Sequence, residues 1–154
     1  MLESLRHLFE SKVARPAQQP GAEGDQALRV AAAALLFEIV RADAAVREEE
    51  LVVMRTALQG AFGLSQDETD ELVRVAERQS RGAASLYEFT SLVDAGLDAE
   101  QKKRIVELLW LVAFADGAKD ALEEHLVRKI AGLLHVSHPD FIDAKLKARD
   151  SLKG

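Results

Sequence analysis

The chain has no cysteine. That excludes disulfides, thiolate metal sites and cysteine nucleophiles, and it suits a reducing compartment, so a cytoplasmic location is expected. Basic residues are in the minority, with 20 Lys and Arg against 26 Asp and Glu and a formal net charge of −6. No cationic face can dominate such a surface, and nucleic acid is not expected as a partner. No run is long and apolar enough to span a bilayer, and no window alternates with the strand period of two. HExxH, phosphate-cradling glycine loops and GxSxG elbows are all missing. The four histidines do not fill that gap. His7 lies outside the main domain, His125 projects away from the acids discussed below, and His135 and His138 flank a helix junction. An enzyme is not expected.

What is present is helix. At 154 residues, 48% apolar and 30% charged, the chain has the size and composition of one soluble globular domain. Residues 1–26 read as an amphipathic segment followed by a flexible linker. MLESLRHLFESKV sets Leu2, Leu5, Leu8 and Phe9 on one side and balances Arg6 and Lys12 with Glu3 and Glu10. It is neither a secretory signal nor a basic membrane-surface helix. ARPAQQPGAEGDQ, at 14–26, is rich in Pro, Gly and Gln, as a linker is.

Residues 27–154 form the helical domain. Apolar periodicity predicts helices near 26–43, 48–62, 66–80, 86–95, 99–116, 121–135 and 139–150. Ser65 with Glu68 and Ser85 with Glu88 are spaced as capping boxes, as is Asp98 with Gln101. Ser137 caps the last helix, with Pro139 just inside it. The expected fold is all-α: a compact bundle of about seven helices, preceded by a short N-terminal helix and a linker.

The domain repeats itself. LLFEIVRADAAVREEELVVMR (Leu35–Arg55) aligns without a gap on LLWLVAFADGAKDALEEHLVR (Leu108–Arg128), so that Asp43 matches Asp116 and Glu50 matches Glu123 at an offset of 73 residues. Each copy is helix, turn, helix, and the two copies suggest an internal pseudo-twofold.

Helical-wheel phase then locates the acids, at about 100° per residue. Leu122, Leu126, Val127, Ile130, Leu133 and Leu134 define an apolar arc that contains Glu123. Met54, Ala57, Leu58, Ala61 and Phe62 define one that contains Glu50. The faces of Leu28, Leu35, Leu36, Ile39 and Val40, and of Ile105, Leu108, Leu109 and Val112, carry Asp43 and Asp116 inward. Four inward carboxylates need compensation, because an ionised acid in a poorly solvated place is costly unless paired, hydrogen-bonded or coordinated. Asp120 with Glu123 could satisfy this as a capping box around the Gly117 turn. In the first copy Arg47 replaces that cap, yet Glu50 remains. Two readings stay open: a hard divalent cation such as Ca²⁺ or Mg²⁺ held by oxygen ligands, or a structural network with Arg41, Lys119 or another base.

The stretch ADGAKDALEEHLVRKIAGLLHVSHPDFIDAK (Ala115–Lys145) resembles the second half of TerB-like proteins, the tellurite-resistance TerB family. Related domains occur at the amino terminus of membrane-anchored DnaJ-like co-chaperones. The likeness extends over roughly Leu28 to Lys147, and the duplicated Asp-turn-Glu helix pair is its most telling mark. It implies an all-helical domain whose acidic site is proposed to bind metal ions, in stress-response and membrane-associated settings. Carried over, that site is Asp43, Glu50, Asp116 and Glu123. Two departures would weaken a metal there: Ala44 stands in place of a glycine, and Lys119 in place of an apolar residue.

The expected function is therefore a non-enzymatic module with a paired acidic site for a divalent cation, linked to stress response or tellurite resistance. The alternative is an interaction scaffold or co-chaperone-like domain whose acids are purely structural. Its working surface would be the amphipathic start or the Trp110 and Phe114 side of their helix. A protein partner is expected, with homodimerisation as one form of it, and membrane contact only peripherally or through partners.

Overall fold

Ser65 and Asp98 start their helices in the way their spacing predicts. Ser65 Oγ accepts from the Glu68 amide at 3.1 Å while Glu68 Oε1 accepts from the Ser65 amide at 2.9 Å. Asp98 and Gln101 form the same reciprocal box at 2.9 and 3.0 Å. The computed structural model describes residues 22–42, 48–82, 85–115 and 121–153. Those residues are helical throughout, apart from the turns that join the helices. The elements are α1 (Ala22–Val40), α2 (Glu48–Phe62), α3 (Gln66–Gly82), α4 (Tyr87–Gly96), α5 (Ala99–Ala113), α6 (Ala121–Leu133) and α7 (His138–Lys153). The all-α bundle expected from periodicity is the observed fold.

Three local expectations are corrected. Helix α1 starts at Ala22, inside the stretch read as linker, because Ala, Glu and Gln sustain a helix once a packed helix follows them. Helix α4 is not capped by Ser85. Its N-cap is Leu86, in helical conformation and with no side-chain cap bond, while the Leu86 side chain packs against the core. Leu122, placed on the apolar arc, is 58% exposed. The buried face of α6 runs instead through Glu123, Val127, Ile130, Ala131 and Leu134.

Helices α1 and α5 carry the core. Every residue from Ala31 to Phe37 is buried, as is every residue from Ile105 to Ala113, so each helix is enclosed on all sides over about two turns. The run Ala31–Ala34 presents small side chains all round, which lets neighbouring helices approach closely. Around this pair the two halves repeat. Helix α3 packs chiefly on α1 and α7 chiefly on α5, while α2 and α6 each touch both central helices. Helix α4 joins the halves and packs on α1, with a further contact to α6.

The 73-residue offset is exact in burial. Glu50, Met54, Ala57, Leu58 and Ala61 are buried on α2, and Glu123, Val127, Ile130, Ala131 and Leu134 are their counterparts on α6. Beyond that the offset drops to 72. Both second helices end in a left-handed residue, Gly63 at φ 66° and His135 at φ 63°. The next amides close the same loop back, Leu64 to the Gln59 carbonyl at 3.3 Å and Val136 to the Ala131 carbonyl at 3.0 Å, as in a Schellman ending. Ser65 and Ser137 then cap α3 and α7. The repeat therefore comprises three helices, one more than the aligned sequences indicated. The buried Thr69, Leu72 and Ala76 of α3 answer to Phe141, Ala144 and Ala148 of α7.

Candidate functional site

Helix α2 opens with Glu48, Glu49 and Glu50, of which only the third is buried, at 0% exposure. Helix α6 opens with Ala121, Leu122 and Glu123, and again the third residue is buried, at 1%. On α6 the usual preference is inverted: the leucine faces solvent and the glutamate beside it faces the core. Both carboxylate oxygens of each glutamate are shielded from solvent. Each side chain lies at the amino end of its helix, where unsatisfied backbone N–H groups and the helix dipole favour negative charge. The repeat places the pair in equivalent positions, on two helices that both border α1 and α5.

Of the four predicted acids, Glu50 and Glu123 thus take up the inward orientation read from the helical wheels. Asp43 and Asp116 lie outside the described residues, as do Ala44, Arg47, Gly117, Lys119 and Asp120. Arg41, one of the two bases named as structural partners for the acids, is engaged elsewhere. Its Nη1 donates to Ser80 Oγ at 3.0 Å and lies 4.0 Å from Glu38 Oε1. Ser80 Oγ donates in turn to Glu38 Oε1 at 2.7 Å. Glu38 sits one helical turn before Arg41, which draws the guanidinium toward α3.

Several polar groups escaped the sequence reading. Glu107, 1% exposed, pairs with Arg104 Nη1 at 3.0 Å, and Arg104 also reaches Glu100 at 3.2 Å. The signal was a lone acid inside the run RIVELLWLV, three residues after an arginine. Asp94 Oδ1 accepts from Lys102 Nζ at 2.6 Å and lies 3.1 Å from His135 Nδ1. The lysine hydrogen bond, then the histidine, hold the Asp94 carboxyl below its usual range. This contact places the end of α6 beside α4 and α5.

The side of α5 that bears Trp110 and Phe114 is interior, which corrects its candidacy as a working surface. Trp110 is 1% exposed, with ring centroids 5.2 Å from Phe114 and 5.4 Å from Phe141. Lys145 Nζ lies 5.1 Å from the indole centroid.

Chemically, an all-carboxylate donor set is hard and anionic, suited to an oxygen-seeking divalent cation and unsuited to soft metals. The two buried glutamates at matched helix starts supply donors of this hard, anionic kind. Among the described residues no helix is long and apolar enough to cross a membrane. No curated protein and no solved structure matches the chain. A family model described as tellurite resistance protein TerB matches residues 29–146, from the first turns of α1 into α7. On that match, across most of its length and both halves of its repeat, the chain belongs to the TerB family.

Proposed function

We propose that this TerB-family chain is a non-enzymatic module that binds a divalent cation, Ca²⁺ or Mg²⁺, between the two halves of its repeat. Asp43, Glu50, Asp116 and Glu123 are its ligands, and the setting is stress response or tellurite resistance. The observation that carries this reading is the burial of Glu50 and Glu123 at equivalent third positions of α2 and α6. A carboxylate is retained in each copy at a place where an apolar side chain would pack. The cation would supply positive charge that offsets the mutual repulsion and desolvation of these acids, and so tie the α1–α2 pair to the α5–α6 pair.

Thermal unfolding of chelator-stripped protein with Ca²⁺, Mg²⁺, Mn²⁺ or Zn²⁺ tests this. An ion present at ~100 times its dissociation constant adds about 2.7 kcal/mol, a rise in Tm of roughly 5–10 °C for a chain of this size. Glu50→Gln, Glu123→Gln and Asp116→Asn should each abolish that rise. If no ion shifts Tm and both Gln variants are destabilised, the acids are a structural network and the domain works as an interaction scaffold.

A further inference from the structure

Helix α6 turns a basic face to solvent. Leu122, His125, Arg128, Lys129 and Gly132 are all exposed, and at about 100° per residue they share one arc about 120° wide. No acid lies on that arc. Of the two glutamates of α6, Glu123 is buried, and Glu124 is half-buried with its carboxylate 3.6 Å from Lys145 Nζ. Other cations of the domain are matched by carboxylates, Arg81 by Glu77, Lys102 by Asp94 and Lys103 by Asp143. Among the described residues, no carboxylate pairs with Arg128 or Lys129.

The first half of the repeat shows that the fold does not require this. At the 73-residue offset the same arc of α2 holds Glu49, Val52, Arg55, Thr56 and Gln59. It carries an acid, and its one base is answered from α3, with Arg55 Nε 3.6 Å from Asp70 Oδ1. Arg128 is the counterpart of Arg55. At the 72-residue offset, however, the place of Asp70 is taken by Ile142 of α7, which packs against the core. The Arg128 guanidinium lies instead over the Phe141 ring, 5.4 Å from its centroid. That contact orients the group without cancelling its charge, and the planar N–H fork matches a carboxylate.

The chemistry of the face defines its partner. Two adjacent cations, with the His125 imidazole one turn before them, suit carboxylates. Leu122, 58% exposed at the edge of the same arc, suits an apolar side chain. The rest of the molecule decides between an acidic polypeptide and an anionic membrane. With a formal net charge of −6, a plane of anionic headgroups would meet the acid excess around α6 as well as its basic arc. A single segment lying along α6 meets the arc alone, since charges beyond a Debye length, about 8 Å at physiological salt, are largely screened. We propose that the outward face of α6 docks an acidic segment of another protein, with carboxylates on Arg128 and Lys129 and an apolar side chain on Leu122.

Amide-resolved NMR of the full-length chain tests this, with a synthetic peptide of repeated Glu-Glu-Leu units as the probe. Low salt favours the contact, and added chelator separates it from cation binding at the buried acids. The peptide should shift the amides of α6 first, and its affinity should fall as salt is added. Arg128→Glu with Lys129→Glu should weaken it roughly tenfold or more, as two exposed ion pairs become repulsions. Lys129→Glu alone, which leaves the Arg128–Phe141 contact intact, should weaken it in the same direction. Arg78→Glu makes the same charge change at an exposed position of α3 and should leave the affinity near that of the parent. Vesicles of phosphatidylcholine and phosphatidylserine in equal parts should not bind. Unmoved α6 amides, shifts centred on another helix, or an equal loss in Arg78→Glu would overturn the proposal. Vesicle binding that the double variant abolishes would also overturn it, since it would assign the face to a lipid surface.

Discussion

His135 is the one non-glycine residue with positive φ among the described residues, and the repeat shows what such a position prefers. Its counterpart across the 72-residue offset is Gly63, at nearly the same φ. A side chain in this region costs about 1–2 kcal/mol, and glycine returns part of the gain as unfolded-state entropy. The His135 ring is 73% exposed, so its contact with Asp94 offsets little of this. His135→Gly should therefore stabilise the protein by about 0.5–1 kcal/mol, read as a higher urea midpoint at unchanged slope.

The same scale separates what could be read from sequence from what could not. Glu50 and Glu123 were legible because a buried arc on a helix follows from residue phase alone. Leu122 was not, since one turn at a helix start can sit on the flank of a bundle whatever its apolarity. Arg41 was named beside the acids because sequence gives proximity along the chain. Its real partners, Glu38 one turn back and Ser80 on α3, depend on how α1 and α3 pack.

At the scale of elements, the capping serines make a clean contrast. Ser65 closes a reciprocal box with Glu68, and Ser65→Ala should cost about 1 kcal/mol. Ser85 has the same sequence spacing but does not cap α4. Ser85→Ala should stay within about 0.5 kcal/mol of the parent, and parallel denaturation curves compare the two. Spacing states that a box can form; whether it does depends on where the tertiary contacts start the helix, and Leu86 starts α4 by packing inward. Ser80 shows the opposite case, a polar residue on the buried face of an amphipathic helix. It is 3% exposed and relays between Glu38 and Arg41, pinning the end of α1 to α3. Ser80→Ala leaves both partners short of a bond and should cost about 1–3 kcal/mol, measured by chemical denaturation.

For the molecule as a whole, two of the carboxylates with lowered pKa, Asp94 and Asp143, join separate elements, while a third, Glu68, holds the start of its own helix. Asp94 is held below its ordinary 3.8 by hydrogen bonds from Lys102 and then His135. Asp143 is held below 3.8 first by Lys103, and Glu68 below 4.5 by the Ser65 amide and hydroxyl. In each case the folded value lies under the unfolded one. Their stabilisation is thus complete above the unfolded pKa and lost as pH falls through the folded pKa. Lys103 has the opposite sign: Asp143 chiefly raises it above 10.5, so its contribution is present below 10.5 and lost at higher pH. Tm should be flat with respect to these groups between about pH 5 and 10 and fall outside that range. Asp94→Asn should lessen the decline on the acid side only. Much of this molecular design was legible in advance, because the helices and the two inward glutamates follow from periodicity and the duplication from a gapless alignment. The third helix of each half was hidden by the single-residue slip after Ala61, which shifts α7 against α3 and breaks the gapless alignment.

The chain has a single tryptophan, and its position makes it an optical gauge. Trp110 is sealed between α5 and α7 and stacked on Phe114, two residues short of Asp116. A change in that turn can reach the indole through one aromatic contact. Its emission then reports, in the unmodified protein, on the packing of α5 against α7.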